Sequence, residues 1–447
     1  MNIALLGYGD QGRSALEYWK DKDNTVTVCD KNEELEVPKG VQSKLGPDYL
    51  NNLDEYDLLI RTPALHPRDI VANNPETPNI LDKVTTVTNE FFNVCKSPII
   101  GVTGTKGKGT TSTLITRILE AAGKKVHLGG NIGIPPLDLL KNGIQGSDIV
   151  VLELANFQLI DLQHSPHIAV CLMISEEHLN WHKDMYEYVT AKRQMFVHQT
   201  HNDIAIYNAL NVFSEEIATA STASEKISYE VPEEDAKPQY QDGVYVEGSH
   251  IKMRGKTICS VHDVKLLGRH NLQNVCAAIA ATWDLIDHNE HAIKDVLKTF
   301  VGLPNRLEPI RVNNKITYYN DSFASAPGAL MAALDAVEQP KVLIIGGFDR
   351  FLSLTDMIDS LKKHEKDIRK VLLIGASAER VSEACKAAGF TNFVITKAAT
   401  MKTIVKEATE NAQEGDAIIL SPGFPSFDMF KNFEDRGNQF RKSVQAL

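Results

Sequence analysis

Short apolar runs separated by turn residues recur along the chain, with stretches of helical spacing between them. Residues 2–6 form the first run and end in Gly7-Tyr8-Gly9-Asp10-Gln11-Gly12, after which helical spacing continues to Trp19. A second run covers 26–29 and is closed by Asp30; a later one covers 58–60 and leads into Arg61-Thr62-Pro63. Residues 73–78, rich in Asn and Pro, break any regular element. From residue 98 the alternation resumes, with apolar residues 98–102, a glycine-rich turn, and helical spacing over 112–122. Strands are predicted over 125–128, 148–154, 167–174 and 204–207, and a helix over 185–196. The segment 215–256 reads as short β elements with little chemistry. An alanine-rich helix is predicted over 275–285, then strands at 317–319, 342–345, 371–374 and 417–420 with helices between.

Strands alternating with helices in this way specify an α/β fold. Three domains are expected: a Rossmann-like N-terminal domain over 1–96, a central P-loop-type ATPase domain over 97–300, and a C-terminal Rossmann-like α/β domain over 301–447. The length of 447 residues exceeds what one core can organise, which agrees with several domains.

The stretch I-I-G-V-T-G-T-K-G-K-G-T-T, residues 99–111, is the chain's centre of chemistry. A strand feeding a helix through Gly104, Gly107 and Gly109 leaves backbone N–H groups aimed at the loop centre, where they cradle phosphate. Thr105, Lys106 and Lys108 complete the loop, and Lys108 can reach the outer phosphates of ATP. Gly109 follows Lys108 where Ser or Thr is usual, so Thr110 or Thr111 must supply any hydroxyl for Mg²⁺. The first turn is a G-x-G-x-x-G fingerprint with acidic Asp30 about twenty positions on, suited to a dinucleotide or a UDP-sugar. Glu153 closes a buried strand beside the phosphate loop, so it is either a Mg²⁺ ligand or an ion-paired structural carboxylate. His178 follows the strand at 167–174, where ligands gather in open α/β sheets, and is read as functional.

A formal charge of −11 argues against a general nucleic-acid partner. The six cysteines are scattered without paired spacing, which reads as buried free thiols in a reducing compartment. No apolar run is long enough to span a membrane, and the expectation is a cytoplasmic monomer.

These motifs resemble the ATP-dependent Mur ligases of bacterial cell-wall synthesis, above all their glutamate-adding branch. The resemblance covers essentially the whole chain. Besides the phosphate loop it rests on G-G-N-I-G (129–133), L-E-L-A-N-F-Q-L (152–159), E-H-L-N-W-H (177–182), A-K-R (191–193) and G-R-H-N-L-Q-N (268–274). It also rests on G-L-P-N-R-L-E (302–308), N-D-S (320–322) and the segment from Ser421 to Phe440. It implies ligation of glutamate to UDP-N-acetylmuramoyl-L-alanine through an acyl phosphate, with ATP and two Mg²⁺ ions. By this resemblance Lys108 would hold the β/γ-phosphates, while Glu153, His178 and Thr110 would serve the metal ions. Lys192 would be carbamylated and support the second ion. Asn271, Arg306 and Asp321 would hold ATP. Gly9, Gln11, Gly12, Asp30, Lys31, Asn131 and Gln158 would bind the UDP substrate, and Ser325, Arg350, Ser426 and Phe433 would read glutamate.

The chain departs from the family pattern at four places. Gly109 follows the loop lysine, and E-L-A-N-F-Q replaces E-L-S-S-F-Q. D-S-F-A-S at 321–325 replaces D-S-K-A-T, and Arg350 stands where lysine is usual. An arginine fork grips a carboxylate differently from a lysine point charge. The resemblance implies D-glutamate as the first reading of the substrate; the changes at the amino-acid pocket make L-glutamate the alternative, and a folylpolyglutamate-synthase-like ligase is a more distant one.

Overall fold

The computed structural model describes residues 1–20 and 23–447. The chain is mixed α/β with three sheets and divides into two compact units, Met1–Asp263 with Leu272–Lys298, and Val264–Asn271 with Thr299–Leu447. Five of the six cysteines are buried and all are free thiols. Among the described residues no helix is long and apolar enough to cross a membrane.

The first unit holds two sheets. In the five-stranded one the order is Gln42–Leu45, Thr25–Asp30, Asn2–Leu6, Leu58–Arg61, Val84–Thr86, and all pairs are parallel. The strand order reverses beside Asn2–Leu6, so the turns after residues 6 and 61 open onto one crevice, the usual ligand position of such sheets. In the second sheet Ile99–Thr103 lies between Ile149–Glu153 and Ile168–Cys171, with Val126–Gly130 at one edge. Ile204–Asn208 and Glu225–Glu230 extend it in parallel, and Val244–Glu247, His250–Met253 and Lys256–Ser260 finish it, the last two pairings antiparallel. Every residue of Ile99–Thr103 and Ile149–Glu153 is buried. That explains their largely apolar sequence, each fully buried Ile, Val or Leu contributing about 1.5–3 kcal/mol.

An ion pair between a buried arginine and a half-buried aspartate ties the first sheet to the second within this unit. Arg61 ends its strand fully buried, and its guanidinium meets Asp161 at 2.6 Å through two N–H groups. The remaining donors go to the carbonyls of Thr62, Leu65 and Phe157. No donor of the buried cation is left unsatisfied, which is the condition for such a group to be tolerated inside.

The second unit is a six-stranded sheet, Glu308–Asn313, Ile316–Asn320, Ala417–Leu420, Lys341–Gly346, Ile368–Ile374, Phe393–Ile395. Only the first pairing is antiparallel. The turns after Asn320, Leu420 and Gly346 therefore lie on one edge.

Several expected bounds shift. The helix after the phosphate loop begins at Lys108, not 112, because glycine, lysine and threonine carry no apolar period. The strand expected over 125–128 runs on to Gly130, where a Cβ would meet the Glu153 carbonyl oxygen at 2.2 Å, so only glycine can pair there. The helix predicted over 275–285 is His270–Thr282. Part of the presumed β segment is helical, at Val212–Thr219.

Candidate active site

The phosphate loop joins strand Ile99–Thr103 to helix Lys108–Ala121. Gly107 caps that helix at φ +86°, and a Cβ on it would lie 2.2 Å from Asn274 Oδ1. The position demands glycine for both its backbone and its space. The Lys108 ammonium folds back over the loop and donates to the carbonyls of Gly104 (3.0 Å) and Thr105 (2.9 Å). Thr105 fastens the loop to the neighbouring strand end. Its N–H donates to Met173 O, its hydroxyl accepts the Ser175 N–H, and it bonds Tyr188 Oη at 2.9 Å.

The hydroxyl question raised by Gly109 has a geometric answer. Thr111 is fully buried and its Oγ1 donates to Asn274 Oδ1 at 3.2 Å, whereas Thr110 is half-buried at the start of the helix. Thr110 is the residue placed to offer a hydroxyl. Asn274 itself went unread in the sequence. It closes the G-R-H-N-L-Q-N motif, where the resemblance gave a role to Asn271 alone.

Around the loop stand the other singled-out groups. Glu153 ends its strand 6% exposed, and its Oε1 accepts from Asn131 Nδ2 at 2.8 Å. Lys192, on helix Met185–Val197, is fully buried. Its Nζ donates to Gly104 O at 2.9 Å and to Thr103 Oγ1 at 3.4 Å, and lies 4.7 Å from the Tyr188 ring centre. Burial first, and then the charge of Lys108, push the Lys192 amine well below the usual lysine range. His178 sits in the left-handed region at φ +60° with its ring edge-on to Phe157. Burial holds its imidazole below the usual value, and Glu177 partly opposes this. Gln158 is buried with Oε1 accepting from the Ala155 N–H and Nε2 lacking any partner. An orphaned buried amide is costly in a finished fold, and this one is a donor open to a ligand.

The crevice of the first sheet is a cleft of about 340 Å³. Gly9, Gln11, Gly12, Asp30 and Asn131 line it, together with Thr62. A Cβ on Gly12 would meet the Gly7 carbonyl oxygen at 2.3 Å, which explains the third glycine of the fingerprint. Asp30 orders this turn directly, its Oδ2 accepting the Tyr8 N–H at 2.8 Å. Lys31 is exposed beside it.

In the second unit, Asp321 is buried at a strand end. Its carboxylate accepts from the Leu307 N–H (3.0 Å) and Ser421 Oγ (2.7 Å). Burial pushes its pKa up to about 7 despite both bonds. Arg306 lies between two left-handed residues, Asn305 and Leu307, and its guanidinium stacks 3.8 Å over the Phe323 ring. Phe433 meets the same ring edge-on at 5.0 Å. Phe323, the departure from a lysine, therefore joins Arg306 to Phe433 in one aromatic group. Ser426 is buried, Ser325 half-buried, and Arg350 exposed after strand Lys341–Gly346. Asn271 donates to Leu267 O at 2.6 Å.

The family model described as "Mur ligase middle domain" matches residues 102–282. That for "Mur ligase, glutamate ligase domain" matches 305–424. A UDP-N-acetylmuramoylalanine–D-glutamate ligase from Clostridium tetani is 32% identical over 459 residues, covering 100% of this chain and 96% of that relative. Another from Acetivibrio thermocellus is 35% identical over 465 residues with the same coverage. The crystal structure of a UDP-N-acetylmuramate–alanine ligase from Thermotoga maritima matches with a TM-score of 0.59 at 17% identity, covering 100% of this chain and 99% of that one. At that identity the likeness speaks for the fold. With two family domains matched and relatives aligned from end to end, the chain belongs to the Mur ligase family.

Proposed function

We propose that this enzyme joins D-glutamate to UDP-N-acetylmuramoyl-L-alanine at the expense of ATP, in the synthesis of peptidoglycan precursors. The full-length likeness to relatives that carry this activity in their names supports the substrates. The observation that carries the chemistry is the convergence of Lys108 and Lys192 on the Gly104 carbonyl, beside the acid Glu153.

In this reading residues 1–96 form a Rossmann-like domain for the UDP moiety, 97–300 a P-loop-type ATPase domain, and 301–447 a Rossmann-like domain that reads glutamate. The γ-phosphoryl group of ATP passes to the carboxylate of the L-alanyl group, giving an acyl phosphate and ADP. The glutamate amine then attacks the acyl carbon, and phosphate leaves as the amide forms. Lys108 holds the outer phosphates, and Asn131 and Gln158 orient the acceptor. Asn271, Arg306 and Asp321 serve ATP, and Ser325, Arg350, Ser426 and Phe433 serve glutamate. Water exclusion protects the acyl phosphate from hydrolysis.

Magnesium fits the first unit's donor set. Glu153 is a buried carboxylate with a neutral amide on one oxygen and no cationic partner among the described residues, and Thr110 and His178 add a hydroxyl and an imidazole. Two bound ions would neutralise the approach of phosphate and carboxylate. Lys192 fits carbamylation, because burial holds its amine well below the usual lysine range and no carboxylate pairs with it among the described residues. The test is substrate dependence. ADP and phosphate should form only when the UDP-linked acceptor and glutamate are both present. ATP hydrolysis indifferent to both would overturn the reading.

A further inference from the structure

A short chain of side chains beside the phosphate loop has no part in the chemistry above. Asn156 Nδ2 lies 2.7 Å from His182 Nε2, and His182 Nδ1 lies 3.2 Å from Glu187 Oε2. The same oxygen accepts the Lys183 N–H at 2.8 Å and stands 3.4 Å from His66 Nε2. Both histidine side chains are buried.

Two histidines and a carboxylate so close have the composition of a metal site. The hydrogen bonds oppose that use. His66 Nδ1 accepts the Arg68 N–H at 3.1 Å, so the proton of the neutral ring sits on Nε2, the atom a metal would need. His182 Nε2 accepts from the Asn156 amide, which puts its proton on Nδ1, facing Glu187. The Arg68 guanidinium, 4.0 Å from Glu187, adds a positive charge where a cation would sit.

What the cluster does hold is a turn. The N–H groups of Trp181 and His182 both donate to the His178 carbonyl at 3.0 Å, closing the turn that places His178 at φ +60°. The His182 ring is anchored through both nitrogens. Asn156 opens the short helix Asn156–Leu159, which carries Gln158. Trp181 Nε1 donates to Ala64 O at 3.3 Å, and Arg68 donates to Trp181 O at 2.6 Å. Ala64 lines the cleft of the first sheet. One turn therefore touches the helix with the orphaned amide and the loop of the acceptor cleft.

We propose that Asn156, His182 and Glu187 are positioning residues. They clamp the turn bearing His178 against the Gln158 helix and the 62–64 loop, so that the metal-binding imidazole and the acceptor contacts keep a fixed relation. The idea rests on the ligase reading above. In this chain the Asn156 side chain is what reaches His182.

The test uses Asn156→Ala and His182→Ala in the full chain. Without any ligand, hydrogen exchange at the Trp181 and His182 amides should accelerate about tenfold, while strand Ile99–Thr103 stays protected. In turnover, the Mg²⁺ concentration for half-maximal rate should rise about tenfold, with the rate at saturating Mg²⁺ within about threefold of the parent. Unchanged exchange over 178–183 would overturn the proposal, as would acceleration spread equally over the 99–103 strand. Stoichiometric zinc in the purified parent protein would overturn it too. A parent protein without acceptor-dependent turnover would sink the ligase reading instead, leaving the exchange result to judge the clamp.

Discussion

Two lysines share the Gly104 carbonyl, and only one of them is fully enclosed. Their mutual repulsion and the burial of Lys192 place the cost on Lys192, whose amine gives up its proton more readily than an ordinary lysine. Lys108→Ala should abolish ADP formation, by about a thousandfold or more, while leaving the melting temperature within a few degrees. Lys192→Ala should also be inactive, and short carboxylates such as formate should restore part of the rate by replacing the proposed carbamate. Full activity in either variant would remove that residue from the mechanism. Asp321 gives a stability prediction with a definite sign. Its carboxyl titrates near pH 7 when folded, against about 3.9 in an unfolded chain. Between these values the folded state binds more protons, so stability falls as pH rises from about 4 to 7. Asp321→Asn should flatten that fall in a series of melting curves from pH 5 to 8. Parallel curves for parent and variant would contradict the burial argument.

At the scale of elements, the first unit depends on the Arg61–Asp161 pair that ties its two sheets together. Asp161→Ala leaves a fully buried guanidinium without its anion and should cost roughly 3–5 kcal/mol, read as a lower urea midpoint. A midpoint within experimental scatter of the parent would mean that the pair is dispensable. The strands that build the sites were legible because they are buried on both faces and therefore mostly apolar, as over 149–152 ahead of Glu153. The strands at Gln42–Leu45, Val84–Thr86, Glu308–Asn313 and Phe393–Ile395 were not, since edge strands are short and partly exposed. Motif chemistry singled out Lys108 and Glu153, and the family resemblance singled out Lys192. The contacts of Asn274, Tyr188 and His182 were not legible, although Asn274 and His182 stand in quoted motifs, because the contacts span 80 residues or more in two cases, Tyr188 with Thr105 and Asn274 with Thr111, and join separate segments in the third. Local sequence carries no record of such pairings.

At the scale of the molecule, a net charge of −11 coexists with a reaction whose substrates are anions. The local cations Lys108, Arg306 and Arg350 offset that field where the proposal places phosphate and carboxylate. The substitution of Phe323 for a lysine removes one such charge, and the ring instead stacks under Arg306 beside Phe433. Phe323→Lys should therefore change the Michaelis constant for glutamate more than that for the UDP-linked acceptor. Equal changes in both would place the ring outside the amino-acid site. The most direct measurement is phosphate release with ATP, Mg²⁺ and UDP-N-acetylmuramoyl-L-alanine, comparing D-glutamate with L-glutamate. Release with the D-form alone is the result expected. Release with the L-form alone, or without any amino acid, would contradict the account.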